Sequence, residues 1–163
     1  MSGIISDEPL LIPEGTYTVS FIRYETTQSW GRYKVLAHFA VAEGEYGGTP
    51  LTRYYNVDDV SSSPGQKAEF SASARRHLVR EFRTLLPDLA SQGALDLNAY
   101  KGKLIWAEVE TVGQDGLKQD LSQANRYSVI RRLVKIIPDD YEVLFDEPQT
   151  RVGKEEVGQG GEG

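Results

Sequence analysis

Residues 63–87 read Ser63-Pro64-Gly65-Gln66-Lys67-Ala68-Glu69-Phe70-Ser71-Ala72-Ser73-Ala74-Arg75-Arg76-His77-Leu78-Val79-Arg80-Glu81-Phe82-Arg83-Thr84-Leu85-Leu86-Pro87. Phe70, Ala74, Leu78, Phe82 and Leu85 recur at steps of four, four, four and three. That spacing gathers apolar side chains on one stripe of an α-helix. Ser63 supplies an N-cap, Pro64 suits the first helical position, and Gln66 completes a capping box. Pro87 stops the pattern. The spacing predicts one amphipathic helix over about 64–86, with Lys67, Arg75, Arg76, Arg80 and Arg83 on its solvated faces.

On both sides of this segment the apolar period changes to two. After the turn at Pro13-Glu14-Gly15, residues 16–27 alternate, with Tyr17, Val19 and Phe21 on one face. Residues 33–42 alternate again, with Tyr33, Val35, Ala37, Phe39 and Val41 together. A turn at residues 43–48 leads to a short aromatic strand over 51–57. Beyond the helix, a helical turn near Leu97–Tyr100 precedes a strand over 101–111, where Ile105, Ala107 and Val109 share a face. A polar loop over 113–126 leads to a last strand over 127–137, whose alternation is less clean. Period-two runs of β-branched and aromatic residues are half-buried strands.

The predicted order is three strands, one helix, two strands. This is a mainly β protein with no strand–helix–strand alternation of the doubly wound kind. Five antiparallel strands leave exposed edges unless the sheet curls into a barrel, and one amphipathic helix can plug its open end. The expectation is a five-stranded Greek-key OB-fold barrel over residues 1–137, with the helix between strands three and four. A different small α+β barrel or sandwich is the alternative architecture.

The 163 residues are 39% apolar and 26% charged, with nine Tyr, five Phe and two Trp, enough to build one core. The absence of cysteine excludes disulfide scaffolds, zinc fingers and thiol nucleophiles, and two histidines, His38 and His77, make a His-rich metal centre an unpromising reading. No apolar run is of membrane-spanning length and the start has no secretory pattern, so a soluble cytoplasmic protein is expected. The net charge is −6. Residues 138–163 hold eight acids and two bases; subtracting these from 24 acids and 18 bases leaves sixteen of each in residues 1–137. The last 26 residues therefore carry all the net charge, and they read as a flexible, acidic, Gly-rich tail. Within it, residues 139–147 interleave acids with Tyr141 and Phe145 in the manner of a peptide ligand for partner proteins.

Aromatic and basic residues alternate on the elements that form the strand-binding side of an OB-fold. Trp30, Arg32 and Lys34 lie at the first loop and its edge, and Arg53, Tyr54 and Tyr55 on the third strand. Lys103 and Trp106 lie on the fourth strand, and Arg126, Tyr127 and Arg131 around the fifth. Unpaired bases expose π-faces that stack on Trp and Tyr, while Arg and Lys neutralise phosphates without reading sequence. The pattern points to single-stranded DNA, with RNA served by the same chemistry. Tyr54 and Tyr55 point to opposite faces, so at most one stacks, and Trp30 in its polar loop is the leading stacking residue. Each of these side chains also has an ordinary structural use: strand aromatics commonly pack, and helix arginines commonly face water. No cofactor, metal or catalytic step is expected.

Four segments carry a resemblance: Ile12-Pro13-Glu14-Gly15-Thr16-Tyr17; Gly44-Glu45-Tyr46-Gly47-Gly48 followed by Arg53-Tyr54-Tyr55-Asn56-Val57; Tyr100-Lys101-Gly102-Lys103; and Tyr127-Ser128-Val129-Ile130. Over residues 12–137 the chain resembles the OB-fold single-stranded DNA-binding proteins of bacteriophages and related mobile elements. The resemblance implies sequence-independent binding in DNA replication, recombination or repair, a bacterial host cytoplasm, and an acidic tail that contacts replication proteins. The tail departs from bacterial homologues, which close on an apolar residue. This one ends Gly161-Glu162-Gly163, with Phe145 as an internal substitute.

Two rival functions remain open from sequence. Asp58-Asp59 and Glu108 with Glu110 are acid pairs of the kind that hold Mg²⁺ in nucleases, although such acids commonly face solvent. A charge-balanced domain with an acidic tail also suits a protein-interaction module, such as an assembly or host-inhibitor protein. A homo-oligomer would supply avidity to a domain of no net charge.

Overall fold

The computed structural model describes residues 11–61, 69–93, 95–114, 120 and 126–138. Its elements in chain order are β1 (Gly15–Ser29), β2 (Arg32–Val41), β3 (Pro50–Val57), β4 (Asp59–Val60), β5 (Phe70–Ser71), α1 (His77–Leu85), α2 (Pro87–Ser91), a 3-10 turn (Leu97–Tyr100), β6 (Leu104–Val112) and β7 (Tyr127–Ile137). The five long strands form one antiparallel sheet in the order β3-β2-β1-β6-β7. They match the five strands expected from alternation, with ends shifted by a few residues.

β1 organises the sheet because it is long and broken in register. Its first part pairs with β6, from Gly15↔Val109 to Ser20↔Leu104, and Val19 to Ser29 pair with β2. Ile22 falls in a bulge between Phe21 and Arg23 and is 49% exposed. An extra residue bends a strand and reverses which side chains face inward. Before the bulge Val19 and Phe21 are buried; after it Thr26 is buried and Tyr24 packs partly against the core. The curvature lets one strand border both halves of the sheet.

The predicted helix over 64–86 is only partly helical. Its second half is α1, which buries Leu78, Val79, Phe82 and Leu85. In the first half, Phe70–Ser71 pairs instead with Asp59–Val60 as a short hairpin. Phe70 meets the ring of Tyr24 edge-on at 6.0 Å, and Ala74 is exposed in a turn. Serine competes for backbone hydrogen bonds and is a weak helix former. Asp58 pins the turn by accepting the Ser73 N–H at 2.5 Å and the Arg76 guanidinium at 2.6 Å. The expected cap at Ser63, Pro64 and Gln66 and the tail over 139–163 lie outside the described residues.

The core lies on one face of the sheet, beneath α1 and the 3-10 turn. Phe21, Phe39, Phe82 and Tyr100 form a chain of tilted and edge-on ring contacts, surrounded by Val19, Val35, Ala37, Ile105 and Ala107 at 0% exposure. β3 and β7, the two edges, approach one another, but no hydrogen-bonded ladder joins them, so the sheet is not closed as a barrel. α1 bridges the gap. Glu81 accepts hydrogen bonds from Arg53 and Tyr55 on β3 and, at 3.4 Å, from the Leu133 N–H on β7. Among the described residues no helix is long and apolar enough to cross a membrane.

Candidate nucleic-acid interface

The outer face of β1, β2 and β3 is built in cross-strand rows. Ser29 pairs with Arg32; Thr27, Lys34 and Asn56 align; Glu25, Leu36 and Tyr54 align; Arg23, His38 and Thr52 align. Alternation dictates this face, because Val35, Ala37 and Phe39 of β2 turn into the core. Tyr54 is 43% exposed at the β3 edge and lies close to Tyr127 at the start of β7. Partial burial, then Tyr127 and Glu25, hold the Tyr54 phenol above its ordinary value. The face carries Arg23, Arg32 and Lys34 against Glu25.

Glu25 is not idle. Its Oε2 meets His38 Nε2 at 2.7 Å and Arg23 Nη1 at 3.2 Å, and His38 Nδ1 meets Thr52 Oγ1 at 3.0 Å. The His38 contact, opposed by desolvation and aided by Arg23, lowers the Glu25 carboxyl below its ordinary value. This network fixes the polar half of the face, leaving Tyr54 as its aromatic element.

Trp30 stands at the tip of the β1–β2 hairpin and is 97% exposed. Its φ is 53°, and Gly31 follows at 73°. Ser29 pairs with Arg32 across them, so Trp30-Gly31 is a two-residue loop with both central φ values positive, as a type I′ turn requires. Asn, Asp or Gly normally fills the first position, because a Cβ crowds the backbone there. Trp30 is the one non-glycine residue at positive φ among the described residues. The strained indole is held in water rather than in the core.

The other sequence-predicted residues separate into distinct places. Tyr55 is in the core at 1% exposure, so it offers no ring face to a base. Arg53 shares its inward parity, and its guanidinium is 11% exposed and paired with Glu81 at 2.5 Å. These two are structural, and the expectation of surface contacts from them is corrected. Trp106 aligns with Thr18 and Lys135, whose ammonium lies 5.9 Å from the indole centre. It sits on the β6 half of the sheet, roughly 35 Å from the hairpin tip measured along β1 at the rise of an extended strand. Lys103 is half-buried just before β6. Arg126 is half-buried beside Tyr127, and its Nε has no partner among the described residues. Arg131 pairs with Glu108. Arg32, Lys34 and Tyr54 thus share the outer face, with Tyr127 near Tyr54 and Trp30 at the hairpin tip next to Arg32. Tyr141 and Phe145 lie outside the described residues.

One acid of each pair is engaged by arginine. Asp58 is bonded to Arg76 and Ser73, the Arg76 contact first in lowering its carboxyl. Glu108 is lowered chiefly by Arg132. Among the described residues no cluster of three or more metal-ligating side chains occurs. Sequence reasoning missed Glu81, whose signal is an acid inside the apolar stripe of a helix, and Arg23, whose outward direction depends on the bulge at Ile22.

Comparison with known proteins gave no matching family model, curated relative or solved structure.

Proposed function

We propose that this chain is a single-stranded nucleic-acid-binding protein, acting on DNA without regard to sequence in phage-type replication, recombination or repair. Trp30 and Tyr54 stack on unpaired bases, Tyr127 extends the aromatic row, and Arg23, Arg32 and Lys34 meet phosphates. Duplexes hide the base faces such a platform needs, which favours single strands. The strand order, with a helix inserted between β3 and β6 and bridging the two sheet edges, supports an OB-type Greek-key architecture. Binding, not catalysis, is the role assigned to this face.

The observation that carries the reading is Trp30. A tryptophan at φ 53° and 97% exposure costs backbone energy and gains nothing from packing. Strain of this kind clusters at ligand-binding and switch sites.

Titration with oligo-dT, followed by tryptophan fluorescence, tests the proposal. Quenching that is lost in Trp30→Ala is expected. A log–log salt slope near about −2 corresponds to three phosphate contacts on a single strand. Loss of one stacked base lowers affinity by about 1–3 kcal/mol, roughly 5- to 150-fold. Absence of binding in a folded wild-type protein overturns the proposal and leaves the exposed indole to a protein partner.

A further inference from the structure

The groove between α1 and β7 holds more cationic charge than the fold uses. It is a pocket of about 330 Å³ lined by Arg53, His77, Arg80, Glu81, Arg131 and Arg132. Arg53 is committed to Glu81. Arg80 is exposed and its side chain has no partner among the described residues. Arg131 and Arg132 are 59% and 56% exposed and meet one carboxylate, Glu108, each on a different oxygen. Four arginines line the groove against one acid, Glu81; Glu108 pairs with two of them, and Glu14 and Glu110 lie beside Arg131 in the adjoining cleft.

The backbone brings this about. A register shift between Glu108 and Val109 leaves Arg131 without a partner in the β6–β7 ladder. In an unbroken strand Arg131 and Arg132 would point to opposite faces. The bulge turns both outward, and bulges commonly re-aim side chains at sites of function. An exposed ion pair contributes little to stability, so holding two guanidinium groups on one carboxylate is poorly explained by folding. Two forks spread over two carboxylate oxygens present the geometry that takes phosphate oxygens.

We propose that this groove is a second anion site, which takes successive phosphates of a phosphodiester chain on Arg80, Arg131 and Arg132. Glu108 serves as the built-in competitor that orients the two β7 arginines while the site is free. The inference rests on the function proposed above only for the identity of the ligand, a strand whose bases occupy the Trp30–Tyr54 face and whose backbone continues to α1.

The test uses the full chain and inorganic tripolyphosphate, followed by amide chemical shifts at low salt. Shifts at His77, Arg80, Arg131 and Arg132 are expected. Glu108→Gln should tighten binding by about 3-fold or more, because it removes the competing charge. Arg80→Ala with Arg132→Ala should weaken it by at least ~10-fold, the loss of charge-assisted hydrogen bonds. No shift in the groove, or unchanged or weaker binding in folded Glu108→Gln, overturns the site. Oligo-dT with Trp30 fluorescence then separates the two proposals. Quenching with affinity reduced in the double variant places the strand backbone in the groove, and quenching with affinity unchanged overturns that path. Tripolyphosphate binding without oligo-dT quenching overturns the strand-binding reading and leaves the anion site standing.

Discussion

The carboxylate of Glu81 lies 2.5 Å from the guanidinium of Arg53, and the two side chains are 12% and 11% exposed. Tyr55 donates its phenol to the same carboxylate at 2.7 Å. Glu81 is the polar centre of the contact between α1 and the two sheet edges. Removing one member of a buried pair strands the other charge, at about 3–5 kcal/mol. Glu81→Ala is expected to lose that much, read as a lower urea midpoint at unchanged slope. Adding Arg53→Met should recover part of the loss. A Glu81→Ala protein within about 0.5 kcal/mol of wild type, the range of an ordinary surface change, would show that the pair does not join the edges.

Trp30 should set stability against binding. Asn tolerates the left-handed region, where a Cβ-branched or bulky residue is strained, and Asn-Gly is the favoured pair in a type I′ hairpin. Trp30→Asn should therefore stabilise the protein by up to about 1 kcal/mol, part of the roughly 1–2 kcal/mol that a left-handed conformation costs an ordinary L-residue. The same variant should lose the fluorescence response to oligo-dT. Destabilisation on thermal unfolding would mean the indole contributes to folding, contrary to its 97% exposure.

Strand alternation made most of the sheet legible, because Val19, Val35, Phe39, Ile105 and Val109 are inward at the positions their period assigns. It failed at the bulges. The shift at Ile22 turns Tyr24 inward and Arg23 outward, and the shift near Arg131 sets two arginines side by side. A one-residue insertion leaves no mark on composition. The helical period runs too far because Phe70 fits it, yet Phe70 lies in a short hairpin and packs edge-on against Tyr24. Arg53 could have been placed from sequence: it shares parity with Leu51 and Tyr55, and its burial needed only an acid nearby, which Glu81 provides. Trp30 was legible as exposed, but its backbone strain was not, since a Trp-Gly pair is no usual turn signal.

Acid should weaken the fold chiefly through Glu25, because the two arginines on Glu108 are more than half exposed and their pairing adds little. His38, then Arg23, holds Glu25 below its ordinary value of 4.5, and Arg132, then Arg131, does so for Glu108, each against a smaller desolvation effect. A depressed folded-state pKa means the stabilisation is present above 4.5 and is lost as pH falls through the lower folded value. Urea midpoints should fall between pH 5 and pH 3, and Glu25→Gln should flatten that fall. An unchanged pH profile in Glu25→Gln would remove the His38–Glu25 contact from the account.

Tyr54 and Tyr55 are neighbours in sequence with opposite surroundings, which makes them a paired test of the interface. Tyr54 is 43% exposed on the outer face, whereas Tyr55 is 1% exposed, with burial pushing its phenol well above the ordinary value. Tyr54→Ala should change stability by no more than about 0.5 kcal/mol, as surface substitutions do. It should weaken oligo-dT binding by about 1–3 kcal/mol, the contribution of one stacked base. Tyr55→Phe keeps the ring and removes only the hydrogen bond to Glu81, at about 1.5–3 kcal/mol for a bond to a charged group. Its affinity, measured where the protein remains folded, should match wild type, because no part of Tyr55 reaches the face. If Tyr55→Phe loses binding while folded and Tyr54→Ala does not, the strand lies elsewhere and the β1–β2–β3 face is not its platform.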